Sequence, residues 1–204
     1  MPDLDSCLEI AKSATLLAGN FLKEQQDTNL KILTNKARDL KLQIDIDAEE
    51  IIKEHITANS SLPILAEESG KSGSLDDFFW VVDPLDGTSN FLRNIPISCV
   101  SIGLVQGFKP ILGAIFDFNN SDLYFAHKNS KAFVNKSEIN VSLFNFKKDS
   151  TLVTGIPAKD NYSDDEFSNM ISDFQSWKKI RMIGSAAMAS VYVAAGKAEA
   201  YKEN

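Results

Sequence analysis

The sequence predicts a mixed α/β or α+β protein with layered sheets, because its helical and strand-like patterns follow a distinctive order. Two helical patterns come first, a series of short apolar runs follows, and strand-like and helical segments alternate in the last third of the chain. With 204 residues, of which 44% are hydrophobic, the chain can bury a substantial core. This length and composition exclude a repeat array, a mini-protein and a mainly disordered chain.

The first two elements are predicted to be helices. From Leu4 to Leu22, apolar residues recur at steps of three and four, as the buried stripe of a helix requires. Residues 27–39 show no such period, and we expect a loop or a short strand there. Helical spacing returns after Leu42 and predicts a second helix over about residues 46–58.

Strands and helices then share the rest of the chain. Short apolar runs separated by turn residues indicate an antiparallel meander. A capping box at Ser163 predicts a later helix, and small residues predict another over 185–195. We expect an N-terminal α+β domain over residues 1–145 and a partial C-terminal α/β domain over 146–204. The predicted strands cover residues 63–66, 78–82, 97–106, 110–117, 123–126, 132–135, 151–155 and 180–183.

Charge and composition exclude several classes of partner. Lys and Arg total 21 and Asp and Glu total 28, so the net charge is −7, which repels nucleic acid. No apolar run approaches the roughly 18 residues of a membrane span, and the acidic amino terminus is unlike a secretory signal. Cys7 and Cys99 are too few for a disulfide framework. We therefore expect a cytoplasmic protein that binds neither nucleic acid nor a membrane.

Two carboxylates flank a proline turn where a buried strand ends. Pro84 fixes the backbone between Asp83 and Asp86, so both side chains can point to one side, and the Leu85 carbonyl supplies a third oxygen. Such a donor set favours Mg²⁺ or Mn²⁺ over Zn²⁺. The segment that follows, residues 87–89, offers backbone N–H groups and hydroxyls to a phosphate. The alternative is an ordinary structural turn, for which Asp-Pro and Asp-Gly are common.

A second acidic pair ends the preceding predicted strand. Glu67 and Glu68 follow residues 63–66, and strand ends at one sheet edge are where open α/β proteins place ligands. Glu67 could therefore reach the same cations as the aspartates. Two cations bridged by carboxylates suit an in-line phosphoryl displacement, so the pattern predicts hydrolysis of a phosphate monoester.

Residues 83–91, DPLDGTSNF, resemble the first signature of the inositol monophosphatase superfamily of Mg²⁺-dependent, lithium-sensitive phosphatases. Residues 66–69 resemble the strand end of this family, which reads G-E-E-S. Similar marks are Lys36 with Asp47, residues 184–187 and residues 200–203, so the resemblance spans residues 36–203. It implies a layered αβαβα sandwich of the inositol monophosphatase and sugar phosphatase type.

The resemblance also implies roles for individual residues. Glu67, Asp83 and the Leu85 carbonyl would hold a first Mg²⁺, and Asp83 and Asp86 would hold a second. Gly87 and Thr88 would bind the phosphate. The residues implied to orient the attacking water are Thr88 and Asp47, with Glu67 helping through the first metal, and those implied to line the pocket for the alcohol are Gly184, Ser185, Ala186 and Glu203.

Two departures from the family pattern leave alternatives. Many relatives read V-T-x-x-D before the second helix, and the hydroxyl is absent here, so the choice between Asp45 and Asp47 stays open. The family carries a later W-D-x-A-A segment whose Asp completes the second metal site. We therefore expect the 204 residues to be a fragment with weak or absent activity, lacking the C-terminal part of the fold, and the full-length protein to be a homodimer.

The leading hypothesis is a Mg²⁺-dependent phosphatase that acts on a small phosphorylated metabolite, with inositol monophosphate as the first choice. Residues 89–91 favour this branch over a 3′(2′),5′-bisphosphate nucleotidase, whose relatives tend to read K-E-F there. Fructose 1,6-bisphosphate and histidinol phosphate are further substrates in the wider family. A third alternative is a non-catalytic, truncated protein that binds metal or phosphate.

Overall fold

The computed structural model describes residues 2–26, 32–36, 39–156 and 161–203. The chain forms two units, Met1–Glu138 and Ile139–Asn204. The domain boundary expected after residue 145 lies within the second unit and stays a prediction. The predicted mixed α/β class is confirmed, because these described residues form five α-helices and a large sheet.

Both predicted helices of the first unit are confirmed, and both are longer than predicted. α1 is Leu4–Gln25, and it begins after Asp3, whose side chain accepts a hydrogen bond from the Asp5 N–H. α2 is Gln43–Asn59. It begins earlier than predicted because Asp45 Oδ2 accepts the Leu42 N–H at 2.7 Å, which stabilises an additional first turn.

Eight strands of the first unit form one sheet in the order β10-β9-β8-β7-β6-β5-β3-β4, and a separate hairpin precedes α2. All neighbouring strands are antiparallel except β3 and β5, which are parallel. The predicted meander is therefore confirmed. The hairpin strands are β1 (Ile32–Lys36) and β2 (Asp39–Leu42), and the sheet strands are β3 (Ile64–Ala66), β4 (Gly70–Ser72), β5 (Phe78–Asp86), β6 (Cys99–Gln106), β7 (Lys109–Asp117), β8 (Asp122–His127), β9 (Phe133–Val134) and β10 (Ser137–Glu138).

The core of the first unit lies where α1 and α2 pack against this sheet. Trp80 is fully buried, and its Nε1 donates to Ser60 Oγ at 3.1 Å. Gly19 allows α1 to lie close to β7, because a Cβ at this position would lie 2.9 Å from Cε1 of Phe116. The main elements that carry the site are thus held on a closely packed hydrophobic core.

The second unit contains a parallel sheet in the order β12-β11-β13, with two α-helices between its strands along the chain. The predicted capping box is confirmed: Ser163 Oγ accepts the Glu166 N–H at 3.2 Å, and Glu166 Oε2 accepts the Ser163 N–H at 2.9 Å. A small apolar core forms around Val153, Ala189 and Ala198. The elements are a 3-10 turn (Lys147–Asp149), β11 (Thr151–Gly155), α4 (Asp164–Gln175), β12 (Lys179–Met182), α5 (Ala186–Ala194) and β13 (Ala200–Glu203).

None of the helices within the described ranges combines the length and the apolar character that crossing a membrane requires.

Candidate metal and phosphate site

The parallel pairing of β3 with β5 brings two acidic residues side by side. The register places Ala66 opposite Val82, and the Glu67 N–H continues the ladder by donating to the Val82 carbonyl at 3.1 Å. Glu67 and Asp83 are the next residues after this pair, so they lie side by side where the parallel pairing of β3 and β5 ends. This is the arrangement that the sequence predicted for these two side chains.

A bulge in β5 shapes the segment from Asp83 to Asp86. The register with β6 shifts there, with Asp83 opposite Ser101 and Asp86 opposite Cys99, so β5 carries one extra residue. Asp83 Oδ1 accepts the Leu85 N–H at 3.1 Å, which closes a local turn around Pro84. The acidic segment is therefore a bulged strand end, whereas the sequence suggested a loop beyond the strand.

Burial in the protein and nearby carboxylates both change the pKa values of Glu67 and Asp83. The carboxyl groups of Glu67 and Asp83 lie close enough to alter each other's pKa. Burial, followed by the charges of Glu67 and Asp86, raises the pKa of Asp83 to about 9. The Glu67 residue as a whole is exposed, yet enough protein surrounds its carboxyl group to raise the pKa of that group as well.

Asp86, the other acidic residue of the segment, contacts a thiol. Cys99 Sγ, which is buried, lies 3.9 Å from Asp86 Oδ2. Across the residues for which the structure is described, no group of three or more His, Cys, Asp or Glu side chains is arranged so that it could hold a metal ion. Glu67 and Asp83 lie side by side, whereas Asp86 contacts Cys99. The Leu85 carbonyl is a backbone oxygen and does not count among these side chains.

A short helix follows the acidic segment at once. Gly87 has a φ of 91°, which favours glycine, and it precedes α3 (Thr88–Leu92). Thr88 Oγ1 donates to the Leu85 carbonyl at 3.1 Å, so this hydroxyl lies beside an oxygen that the resemblance assigns to a metal. Asn90 Nδ2 donates to the Ile97 carbonyl at 2.8 Å and holds the chain that follows the helix.

The two candidate aspartates of α2 lie in different environments. Asp45 is buried at 2% exposure and caps the start of the helix through Leu42. Asp47 is exposed, and its Oδ1 accepts a hydrogen bond from Gln43 Nε2 at 2.9 Å. At 100° per residue, Asp47 lies about 200° around the helix from Asp45. The structure therefore places Asp45, and not Asp47, on the packed face of α2.

A buried acid on the same face was missed by sequence reasoning. Glu49 is 2% exposed and lies one turn after Asp45. Its Oε2 accepts the Glu68 N–H at 2.7 Å, and its Oε1 accepts the Ser69 N–H at 3.1 Å. The available signal was a glutamate on the apolar stripe that Ala48 and other residues define, where a charge needs partners.

The residues predicted to line the alcohol pocket lie in the second unit, at one edge of its sheet. Gly184 follows β12 with a φ of 71°, and Ser185 Oγ accepts the Met188 N–H at 3.2 Å at the start of α5. Ala186 is the first residue of that helix, and Glu203 is the last residue of β13, opposite Gly155. In parallel sheets this carboxyl edge is where ligands bind. Lys36 is the last residue of β1 in the first unit, and its backbone lies opposite that of Asp39 in β2.

The whole described chain resembles known proteins. The model of the "Inositol monophosphatase family" matches residues 3–204. An inositol-1-monophosphatase from Synechocystis sp. is 37% identical over 210 residues, which cover 98% of this chain and 71% of that protein. The Nus factor SuhB of Xylella fastidiosa is 34% identical over 96% of this chain and 72% of that protein. The solved structure of an inositol monophosphatase from Anabaena (Nostoc) sp. matches with a TM-score of 0.87 and 32% identity, covering 100% of this chain and 76% of that one.

Proposed function

Because the chain belongs to the inositol monophosphatase family, whose members are metal-dependent phosphoric monoester hydrolases, we propose that it hydrolyses the phosphate monoester of a small alcohol with Mg²⁺ as its cofactor. One observation carries the proposal: the parallel pairing of β3 with β5 brings Glu67 and Asp83 side by side, where the Glu67 carboxyl group helps to raise the pKa of Asp83. Carboxyl groups gathered so closely that they oppose each other's ionisation form a site that a cation stabilises.

The donor chemistry around this pair fits Mg²⁺. The oxygens on offer are the carboxylates of Glu67, Asp83 and Asp86 and the carbonyl of Leu85, which are hard ligands. We expect Asp86 to turn away from the Cys99 thiol when a cation is present, because its contact at 3.9 Å is weak. When bound, Mg²⁺ supplies positive charge that polarises a phosphate ester and makes water more acidic.

The side chains that would position the attacking water are Thr88 and Asp45. The Thr88 hydroxyl donates to the Leu85 carbonyl, which leaves its lone pairs to accept a hydrogen bond from water. We prefer Asp45 to Asp47 because it is buried and because β2, which ends at Leu42, packs against α3. The water attacks phosphorus as the ester P–O bond breaks, and the departing alcohol takes up a proton.

Phosphate binding is assigned to Gly87 and Thr88, and alcohol binding to the edge formed by Gly184, Ser185, Ala186 and Glu203. The first assignment is supported by the position of Gly87 beside the acidic segment. The second is supported by the shared carboxyl edge of the second sheet. Both assignments rest on matched positions of the family motif.

Inositol 1-phosphate is the proposed substrate. It is supported by the name of the Synechocystis relative and by residues 89–91, which read S-N-F. A bisphosphonucleotide and fructose 1,6-bisphosphate are the alternatives within the same chemistry. We also propose a cytoplasmic location, supported by Cys7 and Cys99, which form no disulfide in the described chain.

Release of inorganic phosphate from these three substrates, with and without Mg²⁺, tests the function. Although these 204 residues are expected to be weakly active, we expect inositol 1-phosphate to be hydrolysed fastest of the three, with the activity lost in EDTA. The substitution Asp83→Asn should lower the rate at least about 100-fold. Asp77→Asn is the control, because Asp77 is exposed and its Oδ1 accepts a hydrogen bond from Gln106 Nε2, away from the acidic segment. Phosphate release that continues unchanged in EDTA would contradict the proposal.

A second candidate function comes from the relatives named Nus factor SuhB. The net charge of −7 argues against direct binding of nucleic acid. Fluorescence anisotropy with a labelled single-stranded RNA in 150 mM salt tests this point. We expect no saturable binding up to about 100 μM protein, the weak limit of non-specific association. Saturation at lower concentration would favour a Nus factor role.

A further inference from the structure

Glu49 makes an unusual set of contacts for a buried acid. Its carboxylate accepts hydrogen bonds from two consecutive backbone amides, those of Glu68 and Ser69. These amides belong to the turn between β3 and β4, in which Ala66 pairs with Gly70. One side chain of α2 thus holds the turn that begins with Glu67.

A lysine side chain also contacts this carboxylate. Lys53, one turn further along α2, has its Nζ 3.9 Å from Glu49 Oε1 and donates to Ser69 Oγ at 3.2 Å. The Glu49 carboxylate is therefore satisfied by two N–H donors and a neighbouring positive charge, as a buried charge requires. Glu50, the next residue, has a side chain that is 63% exposed and lies 3.9 Å from the same ammonium group.

The turn needs such an anchor because the strands around it are short. β3 and β4 contain three residues each, and β4 is the edge strand of the sheet. The direction of the Glu67 side chain depends on the peptide between Glu67 and Glu68, whose N–H is one of the two that Glu49 binds. Without that bond, backbone rotation at this point would swing the Glu67 carboxyl group away from Asp83.

We propose that Glu49 is a positioning residue that keeps the Glu67 carboxylate directed at the metal site by clamping the turn over residues 67–69. This inference rests on the proposed function, because it assigns Glu67 to a Mg²⁺ ion. Groups that orient a metal ligand without touching the metal typically change its affinity 10- to 100-fold when they are replaced.

The substitution Glu49→Gln tests the proposal with little change of shape. A glutamine offers one acceptor and one NH₂ group, so one of the two backbone N–H groups loses its partner. We expect calorimetry to show Mg²⁺ affinity about 10-fold weaker, and hydrogen exchange in the metal-free protein to become faster at the Glu68 and Ser69 amides. Glu50→Gln is the matched control on the same helix and should leave both measurements within about twofold of wild type.

A double substitution separates positioning from a general effect on folding. If Glu49 acts through Glu67, then Glu49→Gln should weaken Mg²⁺ binding less than about twofold in a Glu67→Gln background. Equal losses in both backgrounds, or wild-type affinity in Glu49→Gln, would overturn the inference and leave the proposed function standing. A wild-type protein that takes up no Mg²⁺ would overturn the proposed function and this role of Glu49 together.

Discussion

The carboxyl group of Asp83 links the stability of the protein to pH. Its pKa is raised from 3.8 to about 9, so the folded chain keeps a proton that the unfolded chain has lost. The favourable contribution of this group is therefore complete below about pH 4 and declines as the pH rises towards 9. In the metal-free protein at neutral pH, the Asp83 carboxyl group loses its proton when the chain unfolds. That ionisation favours the unfolded state.

Asp83→Asn should remove this pH dependence. Because asparagine does not ionise, we expect the metal-free variant to unfold at a higher temperature than wild type at pH 8, by at least about 2 °C, and to differ less at pH 5. Thermal unfolding in EDTA between pH 5 and pH 9 measures the effect. Asp77→Asn should follow the wild-type curve. A wild-type melting temperature that rises between pH 6 and pH 9 relative to Asp83→Asn would contradict the expectation.

The two aspartates of α2 are distinguished by isosteric substitutions. Asp45→Asn keeps an oxygen that can accept the Leu42 N–H, so the helix start should survive while the carboxylate is lost. We expect phosphatase activity to fall by about 10²- to 10⁴-fold, as for a group that helps to move a proton. Asp47→Asn should keep activity within about twofold. If instead Asp47→Asn were the inactive variant, the assignment to Asp45 would be wrong.

The sequence predicted the site residues whose positions are encoded locally. Asp83, Asp86 and Glu67 follow apolar strand patterns, and the sequence placed these strand ends at one sheet edge. The parallel pairing that brings Glu67 beside Asp83 was not predicted. Whether Asp45 or Asp47 faces inward depends on which side of α2 packs, and that depends on tertiary contacts. For the same reason Glu49 was missed, since its partners lie about twenty residues away in the chain.

Among the elements, α1 depends on one small residue. Gly19 is buried, and a Cβ there would meet the ring of Phe116 in β7. Gly19→Ala adds helix propensity of about 1 kcal/mol, but overpacking a core costs about 1–3 kcal/mol. We expect a net loss, seen as a melting temperature lower by about 2–4 °C. Asn20→Ala, at the exposed next position, should instead be neutral or slightly stabilising, and equal effects of the two would refute this account.

Elements with a strong hydrophobic period were predicted, and short polar ones were not. α1, α2 and the strands of the meander were found within a few residues of their expected limits. β4 (Gly70–Ser72) and β10 (Ser137–Glu138) carry no apolar pattern that could predict them. Each is a strand because its backbone pairs with a neighbouring strand. β13 was not recognised as a strand, since its role depends on pairing with β11 across nearly fifty residues.

Binding of a cation and folding of the protein are linked. A cation that binds the gathered carboxylates of the folded chain, and not the unfolded chain, stabilises the protein. At a Mg²⁺ concentration about 100 times the Kd, the gain is about 2.7 kcal/mol, or about 5–10 °C in melting temperature. Differential scanning calorimetry against NaCl of equal ionic strength measures it. Asp83→Asn should show a much smaller shift, and equal shifts in both proteins would place the cation elsewhere.

The bulge in β5 has a consequence for how the acidic motif is spaced. Side chains three positions apart in a regular strand project from opposite faces, whereas Ser101 and Cys99, the partners of Asp83 and Asp86, are two apart and share one face. The inserted residue therefore brings Asp83 and Asp86 to the same face of the sheet. A chain with one position deleted between these aspartates would retain every acid and yet send one of them through to the reverse side of the sheet. The number of residues between the charges, as much as their identity, decides whether they can converge.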